Sequence, residues 1–142
     1  MIRVLAIGAT LALLAGGCGG GGDTKPEPGG AAALRVKHVV DGSQGLYVEG
    51  SIWHVRVVDS GGSVVLDKKL PGGSVSASLG AGTYTLTSEE LPCDGNCSNL
   101  DPPADRCSEE LTAEAGQELA ATVTLQPGHG CSIAVLESSV RT

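Results

Sequence analysis

Four cysteines fall in the last 50 residues of this 142-residue chain: Cys93, Cys97, Cys107 and Cys131. Thiols can exchange electrons, hold zinc or pair as disulfides, and spacing separates these chemistries. Thioredoxin-type redox exchange needs CxxC, which is absent. Cys93 and Cys97 are spaced CxxxC, which zinc tolerates, but the Asp94-Gly95 turn between them suits a disulfide. Four cysteines allow three pairings and sequence does not choose among them. The preferred one is Cys93–Cys97 around that turn, with Cys107–Cys131 tying two strands. The segment 93–107 (CDGNCSNLDPPADRC) is also rich in hard oxygen ligands: Asp94, Asn96, Ser98, Asp101 and Asp105. Asp94, Asn96, Ser98 and Asp105 fall at positions 1, 3, 5 and 12 of an EF-hand-like count, which makes calcium the alternative to consider. Against it, Asn99 stands where that count needs Gly, Asp105 where it needs Glu, and neither flank is helical. The expectation is therefore no cofactor and a disulfide staple. Cross-linking and Pro102-Pro103 would also pre-organise a recognition loop for an envelope protein, or a protease-inhibitor-like loop.

Catalytic constellations are missing. His38, His54 and His129 are the three histidines. His38 and His54 sit in strand-like runs, and His129 sits in a turn beside Cys131. There is no GxSxG elbow, HExxH, P-loop or SxxK. Glu89-Glu90 and Glu109-Glu110 are neighbours in sequence, so on strands each pair points to opposite faces. The expectation is no enzyme.

A fifth cysteine, Cys18, makes the count odd, which in an exported protein needs an explanation. It follows a short positive start (Met1-Ile2-Arg3) and the apolar run from Val4 to Ala15, the order of a secretory signal. That run is shorter than the ~20 residues of a spanning helix. Leu13-Leu14-Ala15-Gly16-Gly17-Cys18 resembles the lipobox of bacterial lipoproteins, with Ala15 where that pattern prefers Leu. The resemblance implies a leader over 1–17, cleavage before Cys18 and acylation of its thiol, palmitate included. It implies attachment to the extracytoplasmic face of a membrane, a compartment in which the other four cysteines can pair.

Gly19 to Ala33 offers almost nothing to bury. With Cys18 it reads as a flexible tether over 18–33, reaching ~20 Å on average. The net charge of −7 becomes −8 if Arg3 leaves with a leader, and Trp53, Tyr47 and Tyr84 are the only aromatics. Such a chain can neither neutralise phosphates nor stack bases, so nucleic acid is not an expected partner. Any membrane contact must come through the anchor, since no polybasic patch serves anionic lipids. A core without Phe must be built from Val, Leu, Ile and Ala, and small cores need staples.

From Leu34 onward the hydrophobic period is two. Leu34, Val36, His38 and Val40 form one face of a strand. So do Trp53, Val55 and Val57; Val75, Ala77 and Leu79; Tyr84 and Leu86; and Leu119, Ala121, Val123 and Leu125. Gly-rich turns separate them. Ser108 to Ala115 is the only competitor for a helix. The expectation is one all-β domain over 34–142, an antiparallel sandwich of seven to eight strands stapled by disulfides. The run VSASLGAGTYTL (75–86) resembles the L-x-A-G-x-Y-x-L signature of carboxypeptidase regulatory-like and transthyretin-like domains. It implies an immunoglobulin-like sandwich, a tight turn at Gly80–Gly82, Tyr84 in the core, and no activity. With lipobox, tether and small sandwich together, the chain resembles small lipoproteins of high-GC Gram-positive bacteria. The functional expectation is a membrane-anchored, non-catalytic binding or structural module. Its alternatives are a calcium-binding envelope protein and an enzyme-accessory or inhibitor-like domain.

Overall fold

The computed structural model describes residues 30–41, 50–126 and 129–139. Leader, Cys18 and the tether up to residue 29 lie outside the described residues. Eight strands follow in order: β1 (Ala31–Val40), β2 (Ser51–Asp59), β3 (Val64–Leu70), β4 (Ser74–Gly80), β5 (Gly82–Pro92), β6 (Asp105–Ala113), β7 (Gln117–Gln126) and β8 (Gly130–Ser139). No helix occurs among the described residues. The strands form two four-stranded sheets, ordered β4-β1-β7-β8 and β3-β2-β5-β6, packed as a sandwich. Alternation drives the packing: Leu34 and Val36, Val55 and Val57, Leu86, and Leu119 to Leu125 at every second residue are almost completely buried. The opposite faces of the same strands carry Arg, Lys, Ser and Thr.

Three features differ from the sequence expectations. The sheets are not wholly antiparallel: β1 and β7 pair in parallel, Leu34 beside Leu119 and His38 beside Val123. β1 leaves its sheet for the other one and its free side is filled 77 residues later, a non-local pairing for which alternation carries no direction. The Gly80–Gly82 turn joins strands of different sheets and is not a hairpin, although Tyr84 does enter the core and its hydroxyl donates to the Gly80 carbonyl at 2.9 Å. As expected, the helix competitor is not realised: Ser108 to Ala113 is strand, held by pairing with β5 that puts Leu111 and Ala113 inside. Ala31 to Ala33, read as tether, belong to β1, because Ala32 is buried and all three pair with β4.

Strand directions sort the connections into two ends. At one end lie the start of β1 and the short turns 60–63, 81 and 114–116. At the other lie the end of β1, the start of β2, the turn 71–73, the long connection 93–104 and the β7–β8 turn. The second is called the loop end below.

Candidate functional site

Polarity of the interior changes along the sandwich. Towards the start of β1 the core is aliphatic, closed by Tyr84. Towards the loop end, the same inward positions become His38 on β1, Trp53 on β2, and Ser88 and Glu90 on β5. Their exposures are 9% for His38, 3% for Trp53, 0% for Ser88 and 5% for Glu90. His38 Nε2 lies 3.3 Å from Ser88 Oγ, across from one sheet to the other. The His38 ring stacks on Trp53 with centroids 4.5 Å apart and a tilt of 34°. Trp53 and Glu90 are direct ladder neighbours, and Asp105 is the next residue across on β6.

Two polar atoms in this group, Nδ1 of His38 and Oε1 of Glu90, are buried and lack a hydrogen-bond partner. Burial holds the His38 pKa below its ordinary value, partly offset by the Gly73 backbone. Burial likewise raises the Glu90 pKa; a hydrogen bond from Ser51 opposes the rise and the Asp105 charge adds to it. Removing an ionised carboxylate from water without a partner is costly, which is why both groups shift towards neutrality. Beside them opens a cavity of about 560 Å³, bounded by His38, Ser51, Trp53, Glu90, the turn 71–73 and Cys97.

The cysteines frame this end. Cys93–Cys97 closes a small ring just after β5, and Cys107–Cys131 joins the edge strands β6 and β8 of the two different sheets. Connection 93–104 folds back on its own strand: Asp101 N donates to Pro92 O at 2.8 Å and Ala104 N to Glu90 O at 2.9 Å. Gly50 sits against the ring. A Cβ there would lie 3.3 Å from Cys97 Sγ and 3.4 Å from the Cys93 carbonyl oxygen, and its φ of +79° suits glycine. Both disulfides thus lie towards the loop end of the sandwich.

The oxygen ligands considered for calcium sit on connection 93–104 and at the start of β6. Asp94, Asn96, Ser98 and Asp101 are exposed, Asp105 is half-buried at the start of β6, and Asn96 Oδ1 already accepts from Ser98 N at 3.1 Å. Among the described residues, no group of three or more His, Cys, Asp or Glu side chains is gathered to hold a metal.

His54 belongs elsewhere, on the outer face of sheet β3-β2-β5-β6. Its Nε2 lies 2.7 Å from Asp67 Oδ1 and its Nδ1 3.2 Å from Glu89 Oε2. Arg106 Nη2 then lies 2.7 Å from Glu89 Oε1, completing a polar row across four strands. The hydrogen bond from His54 is the main cause holding the Asp67 carboxyl below its usual pKa. This row is a cross-strand stitch with both imidazole nitrogens occupied. Glu89 and Glu90 take opposite faces, as alternation requires, but the burial of Glu90 was not anticipated. Continuing the inward period from Tyr84 through Leu86 and Ser88 would have reached it.

No protein-family model matches the chain and no curated protein matches it. Among solved structures, it is similar to a "putative cell adhesion protein" from Bacteroides ovatus, at 10% identity and a TM-score of 0.45, over 80% of this chain and 46% of that one. A protein of the same description from Bacteroides uniformis shows 13% identity and a TM-score of 0.40, over 78% of this chain and 51% of the other. The chain spans about half the length of each.

Proposed function

We propose that this protein is an envelope lipoprotein, acylated at Cys18, whose sandwich presents its loop end away from the membrane as a non-catalytic binding surface. One observation carries the reading: β1 begins at the end of the sandwich opposite the cavity and connection 93–104. Its ten residues, at ~3.3 Å each, separate the two ends by roughly 30 Å. An anchor joined through Ala31 therefore enters at the plain turns, so the braced end is the one farther from the point of attachment and free to meet a partner. Among the described residues no helix is long and apolar enough to cross a membrane.

The same end is suited to recognition. Its long connection is tied down by backbone hydrogen bonds and a disulfide, which lowers the ordering cost of binding. A catalytic reading of His38 and Ser88 has less support. Ser88 is completely buried, and His38 Nδ1 has no carboxylate to orient it. The test replaces 94–104 with a short Gly-Ser segment in the full chain. Cross-linked capture from native envelopes should yield a partner with the intact protein and lose it with the replacement, while acylation at Cys18 persists in both. A partner retained by the replacement would refute the loop end as the binding surface. Absence of acyl label at Cys18 would refute the anchor.

A further inference from the structure

The cavity at the loop end has a chemistry of its own, and naming its ligand deepens the binding role proposed above and rests on it. We propose that this cavity binds a compact organic ammonium ion, with the Glu90 carboxylate as counter-charge and Trp53 as the aromatic wall. A volume of about 560 Å³ lies within the range of small-ligand sites. Glu90 is 95% buried by its 5% exposure, one of its oxygens is unpartnered, and among the described residues no cationic side chain is paired with it. A buried carboxylate oxygen with no donor is an acceptor waiting for an N–H group, and a charged donor makes the stronger bond. The ladder neighbours on either side of Glu90 are an indole and a carboxylate, both of which favour a cation. His38 does not oppose one: its burial favours the neutral imidazole, so it places no positive charge beside the site. A metal ion is the poorer fit, because Glu90 is the one carboxylate lining the cavity and no metal-holding group of three is present among the described residues.

Trp53 is the sole tryptophan, so tryptophan fluorescence reports from the wall of this cavity. The experiment titrates n-propylammonium chloride into the full chain in non-ionic detergent at neutral pH. Sodium chloride controls for ionic strength and n-propanol serves as the neutral counterpart. A ligand of so few atoms should saturate in the range of about millimolar. Saturation should appear with the ammonium ion only, and E90Q should weaken it by about tenfold or more, the worth of one charge-assisted hydrogen bond. No saturable change in the wild type, an equal response to n-propanol, or an unchanged affinity in folded E90Q would each overturn the proposal. If E90Q does not fold, the wild-type pH series decides. With His38, Ser51 and Asp105 as the other groups facing Glu90, affinity must rise with pH as Glu90 ionises, and a flat or falling profile overturns the site. The readout is independent of capture: a partner captured without an ammonium response removes the ligand assignment and leaves the outward-facing surface intact.

Discussion

Nε2 of His38 and Oγ of Ser88 meet at 3.3 Å between the two sheets, one on β1 and the other on β5. Either atom can donate, depending on the imidazole tautomer, so the bond persists while His38 is neutral. Its position marks the point where the sandwich interior stops being hydrocarbon. Beyond it, towards the loop end, Trp53 and Glu90 take the places that Val and Leu hold elsewhere, and the disulfides begin.

Glu90 and His38 should tilt stability with pH in opposite directions. The Glu90 pKa is raised in the folded state, so its contribution is present below the ordinary value of 4.5 and lost as pH rises through the folded value. The His38 pKa is lowered, so its contribution is present above 6.5 and lost as pH falls through its folded value. Thermal melts from pH 4 to 8 should show E90Q gaining on the wild type as pH rises, and H38Q losing the wild type's sensitivity on the acid side. Parallel curves for all three proteins would contradict the assignment.

The Cys107–Cys131 bridge spans a sequence separation of 24 and joins two sheets, whereas Cys93–Cys97 spans only 4. Chain-entropy arguments assign about 3 kcal/mol to the first and about 2 kcal/mol to the second. Denaturant unfolding of the C107S/C131S and C93S/C97S pairs should rank them in that order. The reverse order would show that strain or residual structure dominates.

Gly50 is locked in place twice, by its φ of +79° and by the sulfur of Cys97. G50A should cost at least ~1 kcal/mol in the wild-type background. Combined with C93A/C97A, the cost should shrink but not vanish, because the backbone conformation persists after the sulfur contact is gone. A fully additive double-mutant cycle would deny the contact.

On the outer face, H54Q should let the Asp67 carboxyl return upward towards its ordinary pKa, read by NMR titration of the side-chain carbon. Stability should move little, since exposed ion pairs are screened by water and contribute little. An Asp67 titration unchanged in H54Q would mean the 2.7 Å contact is not formed in solution.

Calcium at about 5–10 mM, roughly tenfold above the weakest extracellular sites, should leave the melting temperature unchanged. The reason is that no group of three or more His, Cys, Asp or Glu side chains gathers among the described residues and that the Asn96 oxygen is used within its own turn. A rise in melting temperature that D94A abolishes would restore the calcium reading.

Much of the architecture was legible because alternation is a local signal. Leu34-Val36-His38 and Leu119-Ala121-Val123 declare their inward faces without knowledge of any partner. β3 was harder: Val64 and Val65 are both exposed and Lys68 lies on the core side of an edge strand, so its period is blurred. β6 offered the one competitor for a helix, because an edge strand can carry Ser108-Glu109-Glu110 and still be held by its pairing with β5. The parallel β1–β7 register is tertiary, and no residue in either strand announces it. The cavity was illegible for a different reason. His38, Trp53 and Glu90 come from three strands and two sheets, and each alone looks like an ordinary core or surface residue.

The most direct test of the outward-facing loop end is site-specific photo-cross-linking in intact cells. One cross-linker would replace Asn99 on connection 93–104, and another would replace Gly61 at the opposite end. Adducts to an envelope partner from position 99 and not from position 61 are the expected result. Adducts from position 61 alone, or equally from both, would contradict the orientation and the role assigned to the braced end.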